Sequence, residues 1–228
     1  MPWLFLSAVL DFAFVQFFKL GERRGYYAPV VVATNYFTVA VLIGTYLLLT
    51  DGWVFPERTI ETGLVTGFLF ISSMLLMNFA LTVAPVGSVV SAFRIAIIVP
   101  VFFGVYLWNE PLTVPQTVGL LLALLALVLM TPRAAPHARF SGLRAFGLLG
   151  LICLWQGLSH TSLRSVHYRG LDDAFLQVLM LTGATAGVIG GLFVVLRKRR
   201  PTWPAVRLGV FIGAYNTGAL CVILTALS

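Results

Sequence analysis

The stretch APVGSVVSAFRIAIIVPVFFGVYLWNEPL, Ala84 to Leu112, holds the pattern on which the fold of this chain depends. From Val86 to Trp108 it is almost wholly apolar, and one charged side chain, Arg94, lies near its middle. A run of about 20 apolar residues is what an α-helix needs to cross the hydrocarbon core of a bilayer. The stretch therefore predicts a transmembrane helix. Its central guanidinium stays charged in proteins, so it needs a partner or a function.

The whole chain has the composition of a membrane protein. Hydrophobic residues make up 59% of its 228 residues and charged residues 10%, whereas soluble domains carry about 25% charge. The net charge of +7 does not indicate nucleic-acid binding, because Lys and Arg mark the cytoplasmic loops of membrane proteins. Cys153 and Cys221 lie inside apolar runs and are interpreted as buried hydrophobic residues, not as a disulfide or a metal site.

Apolar segments of helix length follow one another along the chain and predict an all-α integral membrane bundle of about eight transmembrane helices. They cover residues 3–20, 27–49, 60–82, 86–108, 112–131, 143–163, 173–196 and 204–227. Charged, Gly-rich or Pro-rich stretches separate them, such as GERRG after the first and RKRRPTWP before the last. The first segment lacks the basic start and the cleavage site of a signal peptide, so we expect it to be retained as a helix.

The later part of the chain repeats features of the earlier part. A shift of 145 residues places FKLGERRG (18–25) on LRSVHYRG (163–170). A shift of 146 places GLVTG (63–67) on GVFIG (209–213). The order of the apolar segments agrees with this alignment, since segments 1 to 3 match segments 6 to 8. We infer a duplicated helical unit.

The duplication predicts a division of the chain into repeats. Residues 1–131 form a first repeat of five helices, residues 132–142 a linker, and residues 143–228 a second repeat that holds three helices and is therefore truncated. Five is an odd number, so we expect the two repeats to be inverted relative to each other, as they are in many transporters.

Residues 77–130 read MNFALTVAPVGSVVSAFRIAIIVPVFFGVYLWNEPLTVPQTVGLLLALLALVLM. An Ala-Leu pair and a short turn precede a helix that contains Pro100, and Glu110 then follows before Gly119 opens an aliphatic helix. This pattern resembles the EamA-type permeases of the drug/metabolite transporter superfamily. The resemblance implies ten helices in two inverted halves around a central substrate cavity, of which this chain lacks the last two. It also implies an N-terminus inside the cell. The distribution of Lys and Arg predicts the opposite, so the orientation stays open.

Two charged residues lie at the middle depth of predicted helices, Asp11 in the first and Arg94 in the fourth. A charge at the bilayer centre costs about 2.5–3.5 kcal/mol on insertion scales, so we expect the two to face a common interior and neutralise each other. Glu110 lies about 24 Å from Arg94 along a continuous helix and is too far away to pair with it. The Asp11–Arg94 pair is either a structural ion pair or part of a substrate cavity. In a cavity, Arg94 would bind a carboxylate or phosphate and Asp11 would take up a proton.

The repeat adds further candidates for the cavity. Gln156 falls at the position equivalent to Asp11, and His160 follows one turn later on the same helix face. His160 is therefore a candidate cavity residue or second titrating group. The remaining candidates for the substrate cavity are Ser91, Asn78, Phe14 and Trp155. For all of these side chains, packing or hydrogen bonding between helices is the alternative interpretation.

These patterns predict a secondary transporter that moves a small organic metabolite by alternating access. The resemblance implies export, and it suggests proton coupling through Asp11. The expected partners are the bilayer, that of the bacterial inner membrane, and an unidentified small molecule, with anionic or zwitterionic compounds as one option. We expect no nucleic acid, metal or cofactor. A non-transporting sensor or scaffold is the alternative, followed by a membrane-embedded enzyme. An enzyme is disfavoured because no convergent catalytic set is found.

Overall fold

The structure is a computed structural model that describes residues 17, 20, 21, 23–50, 52–130 and 142–227, and every regular element within them is helical. The helices are α1 (Ala28–Leu49), α2 (Glu57–Leu81), α3 (Val86–Ile95), α4 (Ile98–Leu107), α5 (Val114–Met130), α6 (Gly142–Tyr168), α7 (Phe175–Leu196) and α8 (Trp203–Leu227). A 3₁₀ turn, Asp172–Ala174, precedes α7. With α3 and α4 counted as one interrupted span, the described residues hold seven helical segments, and these match predicted segments 2 to 8. The first predicted segment lies almost wholly outside the described residues.

Several of these helices have the length and apolarity of membrane spans. Ala28–Leu49, Glu57–Leu81, Gly87–Leu107 and Asp172–Leu196 have mean hydropathies between 1.7 and 2.1 over their most apolar windows. Large apolar side chains are exposed on them, among them Leu48, Phe68 and Val195. Such a surface is stable against lipid tails and unfavourable in water. The chain is therefore an all-helical, multi-pass membrane protein.

The predicted span 86–108 is found as one membrane span, Gly87–Leu107. Its regular α-helical hydrogen bonding breaks for one turn at Ala96 and Ile97, between α3 and α4, although both residues keep right-handed helical φ and ψ angles. Pro100 explains the break: it has no N–H to donate to the carbonyl of Ala96 four residues earlier, and its ring crowds that carbonyl. The amide of Val99 donates to the Ala96 oxygen instead, at 3.0 Å, in a tighter turn. Arg94 thus lies in the last turn of α3, immediately before the break.

The described helices form two compact units. One contains the described residues up to Ile71 and those from Asp172 onward, and the other contains Ser72–Leu171. The boundary falls inside α2, so each half of that helix belongs to a different unit. The predicted repeats, 1–131 and 143–228, divide the chain differently and stay a prediction.

Glycines determine how closely α1 and α7 pack in the first unit. A Cβ added to Gly183 would lie 2.9 Å from the carbonyl oxygen of Tyr36, and one on Gly190 would lie 3.0 Å from the Cβ of Ala33. Gly187 lies against the ring of Phe37. Gly191, which the four-residue spacing of Gly183 and Gly187 would include in the same stripe, has no atom within 4 Å of an added Cβ.

The two G-x-x-x-G sequences of the first unit make matching contacts with different helices. On α2, Cβ atoms at Gly63 and Gly67 would lie 3.2 and 2.7 Å from the carbonyl oxygens of Val178 and Thr182 on α7. On α8, Gly209 and Gly213 stand in the same relation to the carbonyl oxygens of Val31 and Asn35 on α1, at 2.8 and 2.7 Å. Thus α2 packs on α7 as α8 packs on α1. An inverted repeat exchanges the same helices, since segment 3 aligns with segment 8 and segment 2 with segment 7.

Two chain segments that align at a shift of 145 also end in the same way. Gly25 and Gly170 adopt left-handed φ values of 69° and 65°. After Gly25, the amide of Tyr26 donates to the carbonyl of Gly21, and after Gly170 the amide of Leu171 donates to the carbonyl of Val166, both at 3.0 Å. Glycine is favoured at such helix ends because a side chain is strained at positive φ.

The second unit has its core where α6 meets α3 and the end of α2. The buried residues of this core are Ala80, Ala84, Val89, Ala92 and Ile152. Three of the five are alanines, which lets the helices approach closely. Packing in this core sets the rotation of α6 about its axis. That rotation directs the polar side chains of the next turn of α6.

Candidate polar site on helix α6

Polar side chains are buried on α6 in the second unit, beginning one turn beyond the apolar core. Gln156, Ser159 and Thr161 are all buried, as is Ser73 on the facing part of α2. Buried polar groups in an apolar bundle lose their hydration and need hydrogen-bond partners within the protein. Ser159 and Thr161 donate to backbone carbonyls one turn earlier in α6. The contacts of Gln156 show how this requirement is met.

Gln156 is 2% exposed and joins two other side chains. The hydroxyl of Ser73 donates to its Oε1 at 2.5 Å. Its Nε2 lies 2.8 Å from Nε2 of His160, one turn along α6. The result is a chain of hydrogen bonds from Ser73 through Gln156 to His160, whose side chain is exposed at the surface of the unit.

The chain of hydrogen bonds has a direction. Because Oε1 of Gln156 accepts from Ser73, its amide Nε2 donates, and the contacted Nε2 of His160 must accept. The imidazole then carries its proton on Nδ1. A protonated imidazole would present N–H at both nitrogens, and the Gln156 amide would have to rotate to accept from it. Protonation of His160 would therefore reverse the hydrogen bond made by Gln156.

Trp155 makes a second contact between the same two helices. Its indole Nε1 donates to the hydroxyl of Ser72 at 2.7 Å. Two adjacent serines of α2 thus contact two adjacent residues of α6, so α2 and α6 are held in one register here. Sequence patterns proposed Trp155 as a residue of the substrate cavity, and in the structure its indole N–H has a hydrogen bond within the protein.

The break in the fourth span lies directly against this part of α6. A Cβ on Gly157 would lie 2.9 Å from the carbonyl oxygen of Ala96 and would also clash with the side chain of Val99. Gly157 follows Gln156 in the sequence, and Arg94 precedes Ala96 by two residues. The interrupted span and the polar chain therefore lie next to each other.

The remaining predicted site residues of α2 and α3 differ in their surroundings. Arg94 is exposed, and it makes no ion pair among the described residues. Ser91 is partly buried one turn before it. Asn78 donates from its amide to the carbonyl of Met74 at 2.9 Å, within its own helix. Asp11 and Phe14 lie outside the described residues, so the Asp11–Arg94 pair, proton coupling through Asp11 and a place for Phe14 in the cavity stay predictions.

One ion pair was not anticipated from the sequence. The sequence analysis excluded Glu110 as a partner of Arg94 and named no other partner for it. In the structure its carboxylate accepts a hydrogen bond from the guanidinium of Arg164 on α6. Beside it, the rings of Trp108 and Tyr168 stack at 4.0 Å with an angle of 8° between them. Arg164 and Tyr168 are one turn apart on α6. Only the spacing i, i+4 could have indicated that their side chains lie on one face.

Metal-ligating residues do not gather in the part of the chain that is described. No group of three or more His, Cys, Asp and Glu side chains there has a geometry that could hold a metal ion. In the first unit, three buried side-chain oxygens have no hydrogen-bond partner among the described residues: Oδ1 of Asn35, Oγ1 of Thr59 and Oε1 of Gln177.

Comparisons with known proteins give little further information. No family model matches the chain. An uncharacterized protein of Haemophilus influenzae is 22% identical over 205 residues, which cover 87% of this chain and 69% of that protein. No solved structure matches.

Proposed function

We propose that this protein is a secondary transporter of the drug/metabolite type, similar to the EamA permeases, that moves a small organic metabolite by alternating access. The observation that carries the proposal is the contact between Gly157 and Ala96. It brings the tightened turn of a membrane span, with the permanently charged Arg94 immediately before that turn, against the polar chain centred on Gln156.

Interrupted helices of this kind have a known use in transport. Secondary transporters form their substrate sites near the bilayer midplane, where a discontinuous helix presents backbone carbonyls and helix ends to the substrate. Irregular backbone at membrane depth is tolerated only where it is buried in protein or lines a cavity. Pro100 places a locally tightened, still helical turn at Ala96 and Ile97, near the middle of the predicted span 86–108, and the usual donor to the Ala96 carbonyl is missing there.

The packing of the first unit supports the finer fold proposed here, an inverted repeat derived from ten helices. Two helix pairs, α2 with α7 and α8 with α1, pack in the same way through G-x-x-x-G sequences. A two-fold axis in the membrane plane would relate the two pairs in this way. The matching turns at Gly25 and Gly170 agree with the same alignment. The proposal places about eight transmembrane helices in this chain, in a bacterial inner membrane.

The residues of the proposed site take distinct roles. Arg94 binds the carboxylate or phosphate of an anionic or zwitterionic substrate. Gln156 and His160 supply hydrogen bonds that can change direction, and Ser91 adds a hydroxyl on the Arg94 side. Asp11 pairs with Arg94 in the empty state and takes up a proton when substrate replaces it, which would couple export to the proton gradient.

Flux measurements test the proposal. The protein is reconstituted in proteoliposomes, and radiolabelled amino acids, dicarboxylates and sugar phosphates are assayed one class at a time, with and without a proton gradient. We expect saturable flux for one class, reduced at least about tenfold by Arg94→Gln, because one charge-assisted hydrogen bond to the substrate is lost. Arg58→Gln is the matched control, since Arg58 is also exposed but begins α2 in the other unit.

Absence of flux for every class, from protein that remains folded in the vesicles, would contradict the proposal and favour the sensor or scaffold interpretation. Equal flux in the wild-type protein and Arg94→Gln would retain transport but remove Arg94 from the substrate site.

A further inference from the structure

A cavity lies in the second unit where α4 ends and α5 begins, away from the polar chain of Gln156. Its volume is about 390 Å³, within the usual range of small-molecule sites, roughly 300–1,000 Å³. The lining residues are Val101, Glu110, Pro111, Leu112, Gln116, Leu120 and Arg164. The lining thus combines one anion, one cation and one amide with apolar walls.

The backbone holds Glu110 over this cavity. Asn109 has a left-handed φ of 51°, which turns the chain back so that the amide of Glu110 donates to the carbonyl of Gly104 at 3.0 Å. The carboxylate then lies over Gly104, where a Cβ would come within 2.7 Å of its Oε2. The site is therefore built by local structure, and Arg164 from α6 completes it.

Each polar group of the cavity keeps unused hydrogen-bonding capacity. The ion pair uses Oε2 of Glu110 and Nη2 of Arg164, and the two side chains are 31% and 41% exposed. Oε1 of Gln116 accepts from the amide and hydroxyl of Thr113, which caps α5, so Gln116 can offer a ligand its Nε2 donors. The cavity therefore offers a carboxylate oxygen beside guanidinium and amide N–H groups.

We infer that this cavity binds an ammonium–phosphate zwitterion, of which the headgroup of phosphatidylethanolamine is the membrane form. A primary ammonium can donate to Glu110, while the phosphate accepts from Arg164 and Gln116. A quaternary ammonium has no N–H to donate, and a purely anionic headgroup leaves Glu110 without a cation from the ligand. The chemistry of the lining thus selects ethanolamine over choline and glycerol headgroups.

The surroundings of the cavity match the membrane–water interface. Trp108 and Tyr168 stack on each other near the ion pair. Trp and Tyr are the residue types that are enriched at the membrane–water interface. Further along α5, after Gln116 and Leu120, the side chains of Leu121, Leu122 and Leu125 are exposed and form a surface suited to acyl chains. A lipid bound by its headgroup in the cavity would lie along these leucines. The inference is independent of whether the protein transports a substrate.

Lipid retention tests the inference. The detergent-solubilised protein is titrated with dioleoyl phosphatidylethanolamine, phosphatidylcholine or phosphatidylglycerol, and bound lipid is counted by native mass spectrometry. We expect phosphatidylethanolamine to be preferred by about tenfold, the contribution of one charge-assisted hydrogen bond. Glu110→Gln should abolish the preference. Asp173→Asn, which removes an exposed acid from the other unit, should leave it unchanged.

A second variant covers the case in which Glu110→Gln does not fold. Leu120→Trp keeps both charges and fills part of the cavity, so it should also lower the preference. Phosphoethanolamine and phosphocholine, tested without lipid by thermal unfolding, distinguish the sources: stabilisation by free phosphoethanolamine alone would identify a soluble ligand of the same site. Equal retention of the three lipids together with no difference between the two soluble compounds would overturn the inference, as would a preference that survives in both variants.

Discussion

Gly157 of α6 lies against the carbonyl oxygen of Ala96, the acceptor that Pro100 leaves without its usual donor four residues later. Two separate features of the sequence, a proline in one helix and a glycine in another, thus meet at one place. The proline creates the irregular backbone, and the glycine provides the space that it occupies. The polar chain of Gln156 begins at the next residue of α6.

The first prediction concerns this contact. Gly157→Ala places a methyl group against backbone that cannot move away easily, so we expect the free energy of unfolding to fall by about 1–3 kcal/mol. Gly150→Ala, on the same helix, meets nothing within 4 Å and should not destabilise the protein. Denaturant titration in detergent measures both. Equal effects of the two substitutions would show that the close contact is absent.

A similar pair of glycines on α7 tests the packing of the first unit. Gly183→Ala directs its methyl group at the carbonyl of Tyr36, whereas Gly191→Ala enters open space. We expect the first substitution to lower the midpoint of unfolding and the second to leave it unchanged or raise it, because Ala favours helix over Gly by up to about 1 kcal/mol. A larger loss for Gly191→Ala than for Gly183→Ala would contradict the rotation of α7 described above.

The Ser73–Gln156 hydrogen bond should be measurable as a coupling energy. In a double-mutant cycle with Ser73→Ala and Gln156→Leu, we expect a coupling of about 0.6 kcal/mol, with an upper limit near 1.7, as found for polar contacts between membrane helices. The single change Gln156→Leu should cost more than this, because it also leaves His160 without the amide. Strict additivity of the free energies of unfolding would argue against the contact.

Two neighbouring contacts at the end of α6 should differ in strength. The Trp108–Tyr168 stack is expected to contribute about 0.5–1.5 kcal/mol beyond burial of area. The Glu110–Arg164 pair, with both side chains about a third exposed or more, should contribute at most about 1 kcal/mol. Double-mutant cycles of each pair, at low and high salt, separate the two contacts. The ion pair should weaken with salt and the stack should not, so a salt-independent ion pair would be inconsistent with its exposure.

The last prediction addresses Asp11 and Arg94. Asp11→Asn and Arg94→Gln should each reduce flux, and the exchange Asp11→Arg with Arg94→Asp should restore part of the folding stability if the two side chains neutralise each other. Flux need not return with stability, since a reversed pair no longer offers a cation to an anionic substrate. If the exchanged pair does not recover the stability that either single mutant loses, the proposed pairing of Asp11 with Arg94 is contradicted.

Particular residues show which features of the fold could be predicted from sequence patterns. The apolar segments predicted the helices from α1 to α8 within a few residues, apart from α6, which continues to Tyr168. The prediction of one span over 86–108 is confirmed by Gly87–Leu107, but the tighter turn that Pro100 causes at Ala96 and Ile97 was not predicted. The break is a property of the local backbone that a count of apolar residues does not register. Gly183, Gly187 and Gly191 are equally spaced in the sequence, but the open space at Gly191 and the close contact at Gly190 follow from the rotation of α7.

The sequence by itself determined that the chain resides in a bilayer, that its fold is all-α and in which order its helices follow. The reason is that the length of each apolar run decides whether it can span a bilayer. It also nominated Gln156 and His160 by their shared helix face. Only the tertiary structure decided which groups meet: Ser73 with Gln156, Gly157 with Ala96, Glu110 with Arg164. These residues are distant in the chain, and their contacts depend on how each helix is rotated and shifted against its neighbours. Those rotations are set by packing between small side chains, which local sequence patterns do not specify.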